Sequence, residues 1–88
     1  MARDAFGRPL VPGYNVDRID VEAGLRELVR AGYDDDKRTA MVIEYALRRW
    51  ARGEEEAAER GAIDGAFHGI DRTSWLRVLA AAQAAAAV

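Results

Sequence analysis

The chain has 88 residues, no cysteine, and a formal net charge of −2 from 13 basic and 15 acidic side chains. That length fits one domain and not two, and the lack of cysteine excludes disulfides and thiolate metal sites. The near-balance of charge neither recommends nor excludes a nucleic-acid partner, so the distribution of charge must decide.

Half of the residues are apolar, but 18 of these are alanine. Alanine favours helix and buries little area. A core this thin implies that self-association or a partner adds to stability. The first residues, Met1 to Asp4, precede no apolar run of the signal-peptide kind. The apolar stretch Val78 to Val88 is too short and too alanine-rich to span a bilayer. The expected setting is the cytoplasm, or a particle assembled inside the cell, with no membrane association.

Residues 1–16 read as an extended N-terminal arm, because Gly7, Pro9, Pro12 and Gly13 break regular structure. Phe6, Leu10, Val11 and Tyr14 give the arm apolar side chains that suit packing on its own helices or on a neighbour. Residues 17–88 read as an all-α domain, a small bundle of three to four short helices.

The first helix is expected over about 20–31, capped by Asp20, with Glu22 favouring its positive end and Gly32 suiting its stop. Val21, Gly24, Leu25, Leu28, Val29 and Ala31 share one face of it. Asp34-Asp35-Asp36 then lacks the alternate ligand spacing, the glycine turn and the later glutamate of a calcium loop. It reads as the cap and acidic lead of the next helix.

The second helix is expected over about 37–52, with Ala40, Val42, Ile43, Ala46, Leu47, Trp50 and Ala51 on its buried side. Met41 and Tyr45 fall opposite, among Arg48, Arg49 and Arg52. Tyrosine, arginine and methionine are enriched in interface cores. A third, weaker helix is expected over about 54–67. Gly61, Gly65 and Gly69 within and after it suit either a smooth ridge for close backbone approach or, the reading preferred here, a loosely wound connector. The fourth helix, about 72–86, buries Trp75, Leu76, Val78, Leu79 and Ala82 and runs out into alanine. Across the helices, Leu25, Leu28, Ile43, Leu47, Trp50, Trp75 and Leu79 are the expected mutually buried core.

No residue pattern carries catalysis. His68 is the lone histidine and Ser74 the lone serine, placed in a first helical turn where it serves the helix end. Asp64 and Asp71 have no apolar pocket in view to tune them for acid–base work. No phosphate-cradling glycine motif occurs. The expectation is therefore a non-enzymatic protein without cofactor or metal.

Charge is uneven along the chain. Residues 37–52 carry Lys37, Arg38, Arg48, Arg49 and Arg52 against Glu44 alone, between two acidic runs. A basic helix can follow phosphates, but the flanking acids repel the same backbone or neutralise the helix within the fold or across a dimer. Leu25 to Tyr33, followed by Ile43 to Trp50, resembles the two helices of ribbon-helix-helix antitoxins. That resemblance implies a dimeric DNA-binding regulator whose C-terminal tail wraps a toxin, with a strand before the first helix. Here Tyr14 to Val21 alternates poorly, and Asp17 and Asp20 lie in it.

Two functional expectations follow. The first is a helical protein-interaction module or accessory subunit of a larger assembly, such as a viral or phage particle component or a small inhibitor, with a protein partner or a homo-oligomer as its counterpart. The second is the DNA-binding regulator, with nucleic acid possible but not favoured. The expected partner-binding residues are Phe6, Tyr14, Met41, Tyr45, Arg48, Arg49 and Arg52.

Overall fold

A computed structural model describes residues 19–33, 36–65 and 68–87. The arm, with Phe6 and Tyr14, lies outside the described residues. Among the described residues every regular element is helical: α1 (Val21–Leu28), α2 (Lys37–Ala51), α3 (Glu55–Asp64) and α4 (Arg72–Ala86).

Three aspartates start three of these helices. Asp20 accepts from the Ala23 N–H at 3.1 Å, Asp36 from the Thr39 N–H at 2.9 Å, and Asp71 from the Ser74 N–H at 2.6 Å. Each satisfies an amide that the helix itself leaves unbonded and places negative charge at the positive dipole end. Asp36 is thus a helix cap, as expected of the acidic run, of which Asp34 and Asp35 lie outside the described residues.

The stops depend on glycine twice. α1 widens into a turn over Val29–Tyr33, in which Gly32 takes φ 102°. α2 ends at Gly53, φ 93°, where the Gly53 N–H donates to the Trp50 carbonyl and the Glu54 N–H to the Arg49 carbonyl. This pair of bonds is a Schellman stop, and the left-handed residue it needs carries no Cβ penalty when it is glycine.

α1 and α4 run antiparallel: the Asp20 N–H reaches the Ala82 carbonyl at one end, and Glu27 meets Arg77 at 2.9 Å towards the other. α2 and α3 form an antiparallel hairpin, α1 also packs on α2, and α3 on α4. Leu28, Ile43, Leu47, Trp75 and Val78 are fully buried at the centre. Leu25, Trp50 and Leu79 are only partly buried against them. Ile19 and Ile70, each just outside a helix, complete the core.

Three expectations need correction. Val29 is 51% exposed: it keeps helical φ and ψ at the end of α1 and lies well off the side that buries Ala23, Gly24 and Leu28. Leu76 is 49% exposed: α4 turns Trp75, Val78 and Ala82 inward, and Leu76 is one helical step off that line. α3 stops at Asp64 rather than 67, because the chain turns back so that the His68 N–H reaches the Gly65 carbonyl and the Ile70 N–H the Ala62 carbonyl. The glycines accordingly divide. Gly61 sits inside α3, Gly65 ends it, and Gly69 lies so close to the Ile63 carbonyl that no Cβ would fit.

Candidate functional site

The outer side of the α2–α3 hairpin carries an apolar groove of about 380 Å³. Its first wall is α2. Met41 and Tyr45 stand 68% and 62% exposed, one helical turn apart, and Arg49 follows one turn further on. Helical spacing of four puts all three in one row. The Arg49 guanidinium lies 5.8 Å from the Tyr45 ring centroid, within cation–π range.

The second wall is α3, and it is built of the smallest side chains. Ala58 and Ala62 are fully buried and bring α3 close to α2. Ala57 and Gly61 face the groove, and a Cβ at Gly61 would meet nothing within 4 Å. Gly65 closes the end against Val42. The groove therefore pairs a wall of projecting side chains with a wall that has almost none.

The arginines at this end of α2 are engaged within the fold. Arg48 meets Glu44 at 2.9 Å, and Glu54 accepts from Arg49 at 3.3 Å and faces Arg52 at 3.6 Å. Of the expected partner-binding residues, Met41, Tyr45 and Arg49 line the groove. Arg48 and Arg52 are exposed on α2 but do not line it. Sequence reasoning missed the α3 wall of Ala57 and Gly61. Its only signal was the recurrence of small residues, which also fits a connector.

The remaining polar residues serve the ends of helices. Thr39 and Ser74, both buried, sit three residues after Asp36 and Asp71 and bond to them. The Thr39 hydroxyl, and then the Thr39 N–H, hold the Asp36 carboxyl below its ordinary range. The Ser74 N–H and hydroxyl do the same for Asp71. His68 Nδ1 lies 3.7 Å from the Asp36 carboxylate, tying the α3–α4 connection to the start of α2. Among the described residues no three histidine, aspartate or glutamate side chains converge as a metal-binding group. None of the described helices is long and apolar enough to cross a membrane.

Compared with known proteins, the chain matches no family model, no curated protein and no solved structure.

Proposed function

We propose that this protein is a non-enzymatic helical interaction module that binds protein through the α2–α3 groove, acting in the cytoplasm or within a particle assembled there. The observation that carries this reading is the exposure of Met41 and Tyr45 beside an apolar groove. Single exposed apolar side chains are ordinary on any surface. Two in a row, bordered by arginine and opening on a small-residue hollow, have the composition of an interface centre. Among the described residues both side chains stay largely exposed, which leaves them available to another molecule. A subunit or accessory role fits the same feature, because a domain with this few large apolar residues gains stability from whatever covers the groove.

The test is the double variant Tyr45→Ala with Arg49→Ala. Partner co-purification, quantified by mass spectrometry against the parent, and self-association, measured by sedimentation, should both be read. At least one should fall about tenfold or more, while the helical circular dichroism spectrum and melting temperature stay near the parent's. A variant that folds and retains every association at full strength removes the groove from function. A variant that unfolds places Tyr45 in the chain's own packing.

A further inference from the structure

Resting on the reading of the groove as a protein-binding surface, we infer that its occupant is a second copy of this chain. The two copies stack their α2–α3 hairpins about a twofold axis running along the groove, so that α2 of each copy lies on α3 of the other.

Two properties of the hairpin support a self-complementary match. The first is shape. A twofold interface needs a projection and a matching hollow on the same face of one molecule. Here Met41 and Tyr45 project from α2, while Ala57 and Gly61 leave α3 hollow beside them. In the antiparallel hairpin Val42 is level with Gly65 and Arg49 with Glu54. Tyr45 therefore lies close to the level of Gly61. A twofold along the helix direction preserves these levels, so the Tyr45 ring of one copy arrives over Gly61 of the other, where a Cβ-sized space is open.

The second property is charge, and it selects between the two ways of stacking such hairpins. With the axis across the helices, α2 would lie on α2. That would set Lys37, Arg38, Arg48, Arg49 and Arg52 against the same set, with Glu44 as the only carboxylate. With the axis along the helices, α2 lies on α3 of the other copy. On α3 helical spacing puts Glu54 and Asp64 on the side of Ala57 and Gly61, one at each end, whereas Glu59 turns away to Arg72 of α4. Arg49 and Arg52 stand at the C-terminal end of α2 level with Glu54, which they already share within the chain, and Arg38 stands at the other end near the level of Asp64, so this stacking adds the other copy's carboxylates to each basic end. The axis that fits knob to hollow thus also sets arginines over carboxylates. Individual exposed ion pairs contribute little, but like charges in the other stacking disfavour it, which is how charge fixes register.

The experiment uses the full chain. Sedimentation across a concentration series should show a monomer–dimer equilibrium. Gly61→Leu fills the hollow from an exposed helical position where leucine is the better helix former. It should weaken dimerisation about thirtyfold or more with the melting temperature of the monomer unchanged or raised. Tyr45→Ala, which removes the projection, should do the same. The absence of native cysteine permits a direct test of the pairing. Oxidising a mixture of Tyr45→Cys chains and Gly61→Cys chains should give the mixed disulfide in preference to either like pair. A parent that sediments as a monomer throughout overturns the inference and leaves the groove to an unlike protein or to the N-terminal residues. The groove reading itself then stands or falls on the co-purification of the Tyr45→Ala, Arg49→Ala variant. A dimer indifferent to Gly61→Leu places the interface elsewhere, and a dominant Tyr45–Tyr45 position cross-link overturns the α2-on-α3 pairing.

Discussion

Gly24 of α1 packs directly on Leu47 of α2: a Cβ added at Gly24 would stand 2.7 Å from Leu47 Cδ1 and 3.3 Å from Ala82 Cβ. Leu47 is fully buried, so its Cδ1 would have to shift within the packed core. The glycine is what lets α1 settle between α2 and α4.

Gly24→Ala should therefore destabilise the protein by about 1–3 kcal/mol through overpacking, although alanine is the better helix former by about 1 kcal/mol. Gly61→Ala is the matched control, since its Cβ enters open space. Measured at a dilution where the chain is monomeric, it should raise stability by up to about 1 kcal/mol. Urea unfolding of the two variants gives opposite signs if local packing decides. Two shifts of the same sign would mean that helix propensity or the unfolded state governs both.

The α2–α3 contact gives a second prediction. α3 buries Ala58 and Ala62 completely and no larger side chain. Close approach of the helices replaces the side-chain area that α3 lacks. Ala58→Leu or Ala62→Leu should force the helices apart at about 1–3 kcal/mol. Leu47→Ala, which empties the centre, should cost about 2–5 kcal/mol. Unfolding of the Ala58→Leu variant at the parent's midpoint would show that α3 is held elsewhere.

What was legible in the sequence follows from range. The caps at Asp20 and Asp36 and the stop at Gly32 act within one turn of chain, so residue type and order suffice to place them. The α2 stripe was legible because large side chains mark it. The burial of Ala58 and Ala62 was not, because alanine suits either side of a helix and only the neighbouring helix decides. Ile19 and Ile70 escaped a helical wheel because they lie beyond the helix ends and enter the core through tertiary packing. The groove was half legible for the same reason: Met41, Tyr45 and Arg49 announce one wall, whereas Ala57 and Gly61 become a wall only once α3 is folded back against α2.

Acid should unfold the protein partly through its caps. The Asp36 and Asp71 carboxyls both ionise more readily in the fold than at the ordinary aspartate value of 3.8, Asp36 chiefly through the Thr39 hydroxyl and Asp71 chiefly through the Ser74 N–H. A depressed carboxyl lends stability that is complete above the unfolded value and is lost as pH falls through the folded one. The melting temperature should thus drop progressively below about pH 4. Asp36→Asn combined with Asp71→Asn should lower it at neutral pH and flatten that acid limb. An acid limb unchanged in the double variant would assign it to other carboxylates.

The basic stretch of α2 yields the last prediction, which bears on DNA. Its arginines face carboxylates of the same chain: Arg48 meets Glu44, while Arg49 and Arg52 share Glu54. A phosphate backbone approaching this end of α2 meets Glu44 and Glu54 together with the arginines, and the acidic start of α3 just beyond. Binding through phosphates would have to displace those carboxylates before it released counterions from the nucleic acid. We therefore expect no protected footprint on duplex DNA at physiological salt. At low salt we expect only weak association that disappears steeply as salt is raised. Glu44→Gln with Glu54→Gln should strengthen that low-salt association by unmasking the arginines, without creating sequence preference. A discrete footprint from the parent protein at physiological salt would show that the α2 cations reach phosphate despite their partners, and would promote the DNA-binding reading over the protein-binding one.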